Sequence, residues 1–537
     1  MMFLSNRLYF LFSFCVVILL FSCSSDDSEE TGEIIVTAAN FEVTIDENPE
    51  PGQVLGIIEG STNQGTVIFS IDDQTPDGAF NIDENSGELT VADETLFKFD
   101  LNPVLNAVVS VTNADVVEYA DVVVNLEQVI NLEGVIWQKV LYTTGGNYQR
   151  AERILQNADG TYTIGGLKIL YSGGPDWFSK ISKINEIGEL VWDTDFGGTT
   201  EFSDLESTND NGYIIGTTQA VSADFSTSYR IYKFNGSGNV QWHETIGGSL
   251  SDILTAAEPT NDGGYILGGY SNSNISENKD EDSEGGFDYW VVKVNSSGQI
   301  EWQNTIGGSS EDALRSISQT TDGGYILAGE SNSDISGDKT ENSRGGTDFW
   351  IVKIAEGGEI EWQKTIGGDS DEALSSIVTT SDGGAVIAGY TDSGLGGEKT
   401  EGSNGSTDIW IVKISSIGNI EWQNTIGGNN IDKINAISQT ADSGFILASS
   451  SKSNATGDKT EDSRGDFDYW LIKLDSAGNI EWQDTLGGDA VDILTSVEEG
   501  FDGKYILAGY STSGISGDKT EDGPSIEHYW IIKYNPE

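Results

Sequence analysis

The sequence predicts an all-β protein: an N-terminal β-sandwich followed by a seven-bladed β-propeller closed by pairing one strand with three. Three observations predict it. Tryptophan recurs at Trp137, Trp192, Trp242, Trp302, Trp362, Trp422 and Trp482, with intervals of 55, 50, 60, 60, 60 and 60 residues. Such a period marks a repeat architecture. Glycine numbers 66 against 8 proline, and aromatics make up 10% of the 537 residues, a turn-rich and ordered composition. Short runs with period-two alternation recur between turn residues. The formal charge is −60, from 27 Lys and Arg against 87 Asp and Glu. That balance argues against nucleic acid, whose phosphates need clustered cations, and against electrostatic adhesion to anionic lipid. The two histidines, His243 and His528, make a multi-His metal centre or a His-based triad unpromising.

Residues 1–22 carry Arg7 and then an apolar run from Leu8 to Phe21, the pattern of a secretory signal. The segment ends Leu20-Phe21-Ser22-Cys23 and resembles the bacterial lipobox, in which the cysteine is acylated and becomes the first mature residue. That resemblance implies a lipid anchor on Cys23. An ordinary signal peptide is the alternative. Residues 23–33 read as an acidic tether. Ser24 to Glu30 also looks like the acidic export signal of Bacteroidota-type surface lipoproteins, which implies display on the outer membrane. With Cys15 removed and Cys23 acylated, no thiol remains for a disulfide. Stability must then come from cores, ring closure or bound ions.

Residues 34–128 alternate over 41–45, 67–71, 107–111 and 120–124, which suits a Greek-key sandwich. Ile45-Asp46-Glu47-Asn48-Pro49 and the stretch from Ala79 to Val91 resemble a cadherin-like repeat. In that family Ca²⁺ sits between successive repeats. Here the closing Asp-x-Asn-Asp segment is absent and no second repeat follows. Glu47, Asp100 and Asp115 are the remaining oxygen donors, and an ordinary acidic domain end is the preferred reading. The module is expected to act as a spacer.

Residues 135–537 contain the repeats. In the unit 311–368, strands are predicted at 313–320, 325–329, 349–354 and 360–366, separated by Asp322-Gly323-Gly324, a long polar loop and Glu356-Gly357-Gly358. Four antiparallel strands make a propeller blade. The region begins with a fourth-type strand at Trp137 and ends with a third-type strand at 530–533, so joining the two ends completes a ring. The repeats resemble bacterial surface β-propeller repeats.

A lysine precedes six of the tryptophans by nine residues. A three-residue hairpin loop would set Lys293 directly opposite Glu301, Lys353 opposite Glu361, Lys413 opposite Glu421 and Lys473 opposite Glu481. These lysines, like the repeated tryptophans, are read as structural.

The long loops and the Gly-Gly connectors share one end of the sheets. Five loops carry related acids, among them Asp334, Asp338, Glu341, Asp458, Glu461, Asp518 and Glu521. The connectors add Asp252, Asp312, Glu372, Asp432 and Asp492. Two readings are open: Ca²⁺ sites built from oxygen donors, or solvated loops with Lys–Glu pairs.

Near-identical blades favour multivalent contact over catalysis, which needs one asymmetric constellation. The expected function is a non-enzymatic, cell-surface binding or adhesion lipoprotein that presents its propeller to an extracellular protein or glycan. The alternative is an extracellular polysaccharide hydrolase or lyase using propeller carboxylates. Two buried acids in a central pocket would favour the alternative; a channel lined by Ala313, Ser316 and Ser318 would favour the first.

Overall fold

The computed structural model describes residues 33–47, 49–98, 101–127, 134–142, 148–171, 175–198, 200–221, 226–523 and 526–536. The signal segment, Cys23, nearly all of the tether and Asp100 lie outside them. The chain divides into two compact units, 1–128 and 129–537.

In the first unit Phe41–Asp46, Val116–Glu127, Val104–Asn113 and Ile68–Thr75 form one sheet in that order. Val54–Ile57, Glu88–Val91 and Phe80–Ile82 form a second. Alternation sends Phe69, Val109, Val111, Val122 and Val124 inward from the first sheet, where they meet Leu55, Phe80, Leu89 and Val91. Each strand expected from alternation overlaps an observed one. The parallel pairing of Phe41–Asp46 with Val116–Glu127 was not legible, because a period of two carries no direction.

Among its described residues the second unit holds seven four-stranded antiparallel sheets. Sheet 1 comprises Tyr148–Gln156, Tyr162–Tyr171, Pro175–Ile184 and Leu190–Phe196; sheet 2, Thr200–Ser207, Tyr213–Ala220, Thr227–Phe234 and Val240–Ile246. Sheet 3 comprises Asp252–Pro259, Tyr265–Ser271, Asp288–Val294 and Ile300–Ile306; sheet 4, Asp312–Gln319, Tyr325–Ser331, Asp348–Ile354 and Ile360–Ile366. Sheet 5 comprises Glu372–Thr379, Ala385–Thr391, Asp408–Ile414 and Ile420–Ile426; sheet 6, Asp432–Gln439, Phe445–Ser451, Asp468–Leu474 and Ile480–Leu486. Each is an open meander, its first and fourth strands unpaired with one another. Sheet 7 takes Asp492–Glu499, Tyr505–Ser511 and His528–Tyr534 from the chain's end and Val135–Leu141 from the start of the unit. Lys139 stands opposite Ile531, and Leu141 opposite Tyr529.

The cores lie between sheets. Sheets 3 and 4 share Ile266, Val291, Leu314 and Leu327, and sheets 6 and 7 share Ile446, Leu471, Leu494 and Leu507. Sheet 7 and sheet 1 share Ile506, Ile531, Ile154 and Ile164, so the last sheet packs on the first. Each third strand is therefore covered on both faces, and Asp348–Ile354 is buried throughout.

A side-chain relay ties neighbours together. Tyr289 Oη donates to the Trp350 carbonyl at 2.8 Å, and the two rings lie 4.9 Å apart. A Cβ on Gly329 would stand 2.5 Å from that Tyr289 Oη; glycine is required by this close approach. The fourth-strand tryptophans Trp242, Trp302, Trp362, Trp422 and Trp482 are half-buried. Trp302 packs on Tyr325 with centroids 6.2 Å apart and under Gly358 of the next sheet, whose φ is +99°. The fully buried tryptophans are Trp290, Trp350, Trp410, Trp470 and Trp530 of the third strands.

Candidate functional site

The repeated lysines contact acids of their own sheet, in a register that differs from the one expected. Lys293 pairs with Trp302 and Val294 with Ile300, so Glu301 is the extra residue of a bulge rather than the partner opposite. The bulge still lets Glu301 Oε2 reach Lys293 Nζ at 3.0 Å. A second acid was missed: Asp262, from the turn between strands one and two, lies 2.8 Å from the same nitrogen. Lys353 meets Asp322 and Glu361 at 3.3 Å each, and Lys413 meets Asp382 and Glu421 at 3.0 Å each. The Thr380 hydroxyl, with Gly384 N–H and Lys413, outweighs burial and holds the Asp382 carboxyl down to about 2. Lys353→Met is expected to cost about 1–2 kcal/mol in a urea titration. The cost stays small because Asp322 and Glu361 are half-exposed and regain water.

The loop acids do not converge. Among the described residues no three or more His, Cys, Asp or Glu side chains are grouped to hold a metal. They are taken one by one by donors of the chain. Glu341 accepts from Lys364 Nζ and Thr365 N at 2.9 Å each, and Glu461 from Thr485 N at 2.9 Å. Glu521 accepts from Lys139 Nζ and Val140 N at 2.9 Å. Asp338 and Asp458 accept from the connector amides of Gly307 and Gly427. Asp518 meets Arg464 at 2.7 Å, and Asp334 is exposed at its loop tip. The solvated-loop reading also needs correction. Lys279, Lys339, Lys399, Lys459 and Lys519 are buried, with Lys339 Nζ 5.3 Å over the Trp350 ring and donating to Thr365 Oγ1 at 2.6 Å. Burial presses the Lys339 ammonium down to about 8. Third-strand tryptophans lie under three of these ammoniums, Trp290 under Lys279, Trp350 under Lys339 and Trp470 under Lys459, as cation–π contacts.

The connector acids are buried as well. Gly308 N donates to Asp312 at 2.7 Å and Gly488 N to Asp492 at 2.7 Å. Four of the five face a second buried carboxyl at the start of the preceding sheet's third strand; Asp252 does not, because the third strand of sheet 2 begins Thr227-Ser228. The pairs are Asp288 with Asp312, Asp348 with Glu372, Asp408 with Asp432, and Asp468 with Asp492. All eight are 0–1% exposed. Burial first, and then the Asp492 charge, push the Asp468 carboxyl up to about 7. Burial raises Glu372 to about 7, and its hydrogen bond with Asp348 works in the same direction. Burial is the leading cause of the raised values, and the neighbouring carboxyl of the pair adds to it. The signal was an aspartate two residues before the third-strand tryptophan at period 60, which reading for exposed ligands passed over.

A further acidic set lies on the first strands of sheets 2, 3 and 7. Burial, then Asp204, raise the Glu206 carboxyl to about 8, against Arg153. Glu258 is raised well above its ordinary value by burial and by Glu206. Glu498, raised to about 7 by burial, accepts from Gln156 N at 2.5 Å. Asp204 is taken by Arg153 Nε at 3.1 Å and by Ala257 N at 3.0 Å. The corresponding strands of sheets 4 to 6 carry the small residues expected there, including half-buried Ala313, Ser316 and Ser318.

Clefts open at the opposite end of the sheets from the long loops. One of ≈ 560 Å³ lies between sheets 1 and 2. A second of ≈ 340 Å³ lies between sheets 2 and 3. Sequence reasoning had favoured the loop end.

No family model matches the chain. It is 21% identical over 255 residues to the regulatory protein FlaEY of Caulobacter vibrioides, covering 44% of this chain and 26% of that protein. The chain thus spans about a quarter of the length of the curated relative it matches. Among solved structures, it is similar to the β-propeller domain of the Trilobed protease from Pyrococcus furiosus, with TM-score 0.40 and 8% identity over 73% of this chain and 94% of that one. A quinonprotein alcohol dehydrogenase-like protein from Bacteroides thetaiotaomicron gives TM-score 0.32 and 8% identity over 83% and 94%.

Proposed function

We propose that the protein is a non-enzymatic binding or adhesion lipoprotein of the outer membrane. On this reading Cys23 carries the lipid, residues 34–128 form a cadherin-like spacer, and residues 135–537 form a closed seven-bladed β-propeller. The propeller is presented to an extracellular protein or glycan. The ring reading is supported by the sheet shared between the two ends of the unit and by the core common to sheets 7 and 1. The observation that carries the binding reading is the cleft between sheets 1 and 2, where the 60-residue repeat is broken and hydrogen-bonding side chains face solvent. Calcium finds little support, since the loop carboxylates are engaged by N–H donors of the chain.

A second reading, polysaccharide hydrolysis, is favoured by the raised carboxyl of Glu206, which suits a proton donor. A glycosidase needs one protonated and one ionised acid flanking the bond. The experiment is affinity electrophoresis through gels containing soluble polysaccharides, together with assay of new reducing ends. Retardation without new reducing ends supports binding. New reducing ends that vanish in Glu206→Gln would move the assignment to the hydrolase.

A further inference from the structure

We propose that the cleft between sheets 1 and 2 is a subsite for a neutral glycan, with Phe501 as its stacking platform. The proposal deepens the binding reading by naming a ligand class and a place.

Phe501 lies in the turn between the first and second strands of sheet 7 and lines the cleft. It is 78% exposed. A lone exposed aromatic is ordinary on a protein surface. This one differs in position and support. The same turn position in sheets 3 to 6 carries Asn261, Thr321, Ser381 and Ala441, so no feature of the repeat calls for a ring here. Its backbone is held from across the sheet junction, where Phe501 N donates to Gln156 Oε1 at 2.7 Å. That bond fixes the backbone that carries the ring, which limits part of the ordering cost of binding.

The remaining lining suits hydroxyl groups. Ser207 and Asn211 are exposed polar side chains of sheet 2 facing the same cleft. Asn211 has φ +58°, at a turn position that is glycine in most of the other sheets. Asparagine is one of the few residues other than glycine that adopts this conformation readily. The cation of the cleft, Lys183, is already paired with Asp159 at 3.0 Å. That pair leaves no free positive charge for an acidic sugar and still offers donors and acceptors to a neutral one. The C–H face of a pyranose ring packs on an aromatic face while its rim hydroxyls hydrogen-bond to amides, hydroxyls and carboxylates. A protein partner would need an apolar anchor pocket, and this lining provides none.

The test is isothermal titration calorimetry of the full chain with cellohexaose, xylohexaose and maltohexaose, followed by chromatography of the recovered sugar. At least one is expected to bind, and Phe501→Ala to weaken it at least 10-fold. Trp177→Ala, at the far end of sheet 1, should leave the affinity unchanged and guards against a general loss of fold. Absence of binding by all three sugars, equal affinity in Phe501→Ala, or equal loss in Trp177→Ala would overturn the subsite. Shortened sugar in the recovered sample would instead sink the non-enzymatic reading while the Phe501 dependence stood.

Discussion

Deleting residues 528–537 is expected to abolish cooperative unfolding of the second unit. The deletion removes the third strand of sheet 7. It leaves Val135–Leu141 without its partner and opens the edge of Tyr505–Ser511. It also strips Trp530 and Ile532 from the core shared with sheet 6, and Tyr529 and Ile531 from the core shared with sheet 1. Truncating one buried tryptophan costs about 3–5 kcal/mol, and a whole domain is stable by only about 5–15 kcal/mol. Losing four such residues together exceeds that margin. Exposed strand edges then favour association between chains. Thermal unfolding followed by circular dichroism, with size-exclusion chromatography, reads both effects. A truncated chain that stays monomeric and melts within a few degrees of the full chain would show that the shared sheet does not hold the second unit together.

Stability is expected to peak between about pH 4 and pH 6 and to fall toward pH 8. The buried carboxyls at the sheet junctions set the upper limb. Asp288 is raised to about 6, and Asp468 and Glu372 to about 7. Their folded values lie above the unfolded ones, so their contribution is complete below about pH 4 and is lost as pH rises through 6 to 7. A tenfold change in proton affinity corresponds to about 1.4 kcal/mol, so each junction withdraws on the order of a few kcal/mol by pH 8. The lower limb has the opposite sign. Asp262, Asp382 and Asp442, held at about 2, stabilise above about pH 4 and lose that contribution as pH falls through 2. Charge balance explains the design. Lys459 lies near Asp468, and one ammonium beside two carboxyls is neutral only when the pair keeps one proton. Asp468→Asn mimics the protonated partner. Its Oδ1 can accept from Arg464 N, as Asp468 does, while its amide donates to Asp492. The variant should match the parent at pH 5 and melt higher at pH 8. A parent whose melting temperature is flat from pH 5 to pH 8 would exclude proton sharing at the junctions.

The candidate site was less legible than the fold. The lysine–glutamate contacts were readable from spacing, yet their register was off by one because a bulge at Glu301 adds a residue that alternation does not reveal. The loop lysines were read as solvated because charge in a polar segment usually is. Only the tertiary structure places Trp350 beneath Lys339 and buries that lysine. For the acids of the connectors the sequence leaves two readings open, Ca²⁺ ligation or solvation, since nothing in their own segment announces that Asp312 will stand against Asp288. Phe501 is inconspicuous in the five-residue turn between Glu499 and Tyr505.

By itself the sequence determined what is local and periodic. Strand alternation, turn glycines and the 60-residue interval depend on neighbours along the chain, so the four-strand unit, its count and the complementary ends could be read directly. Tertiary structure alone decided which charges are buried, which carboxyls meet and where a cleft opens. Those outcomes arise where one sheet packs on the next, between residues separated by a whole repeat or by most of the chain, and burial there alters proton affinity in a way that no local pattern encodes.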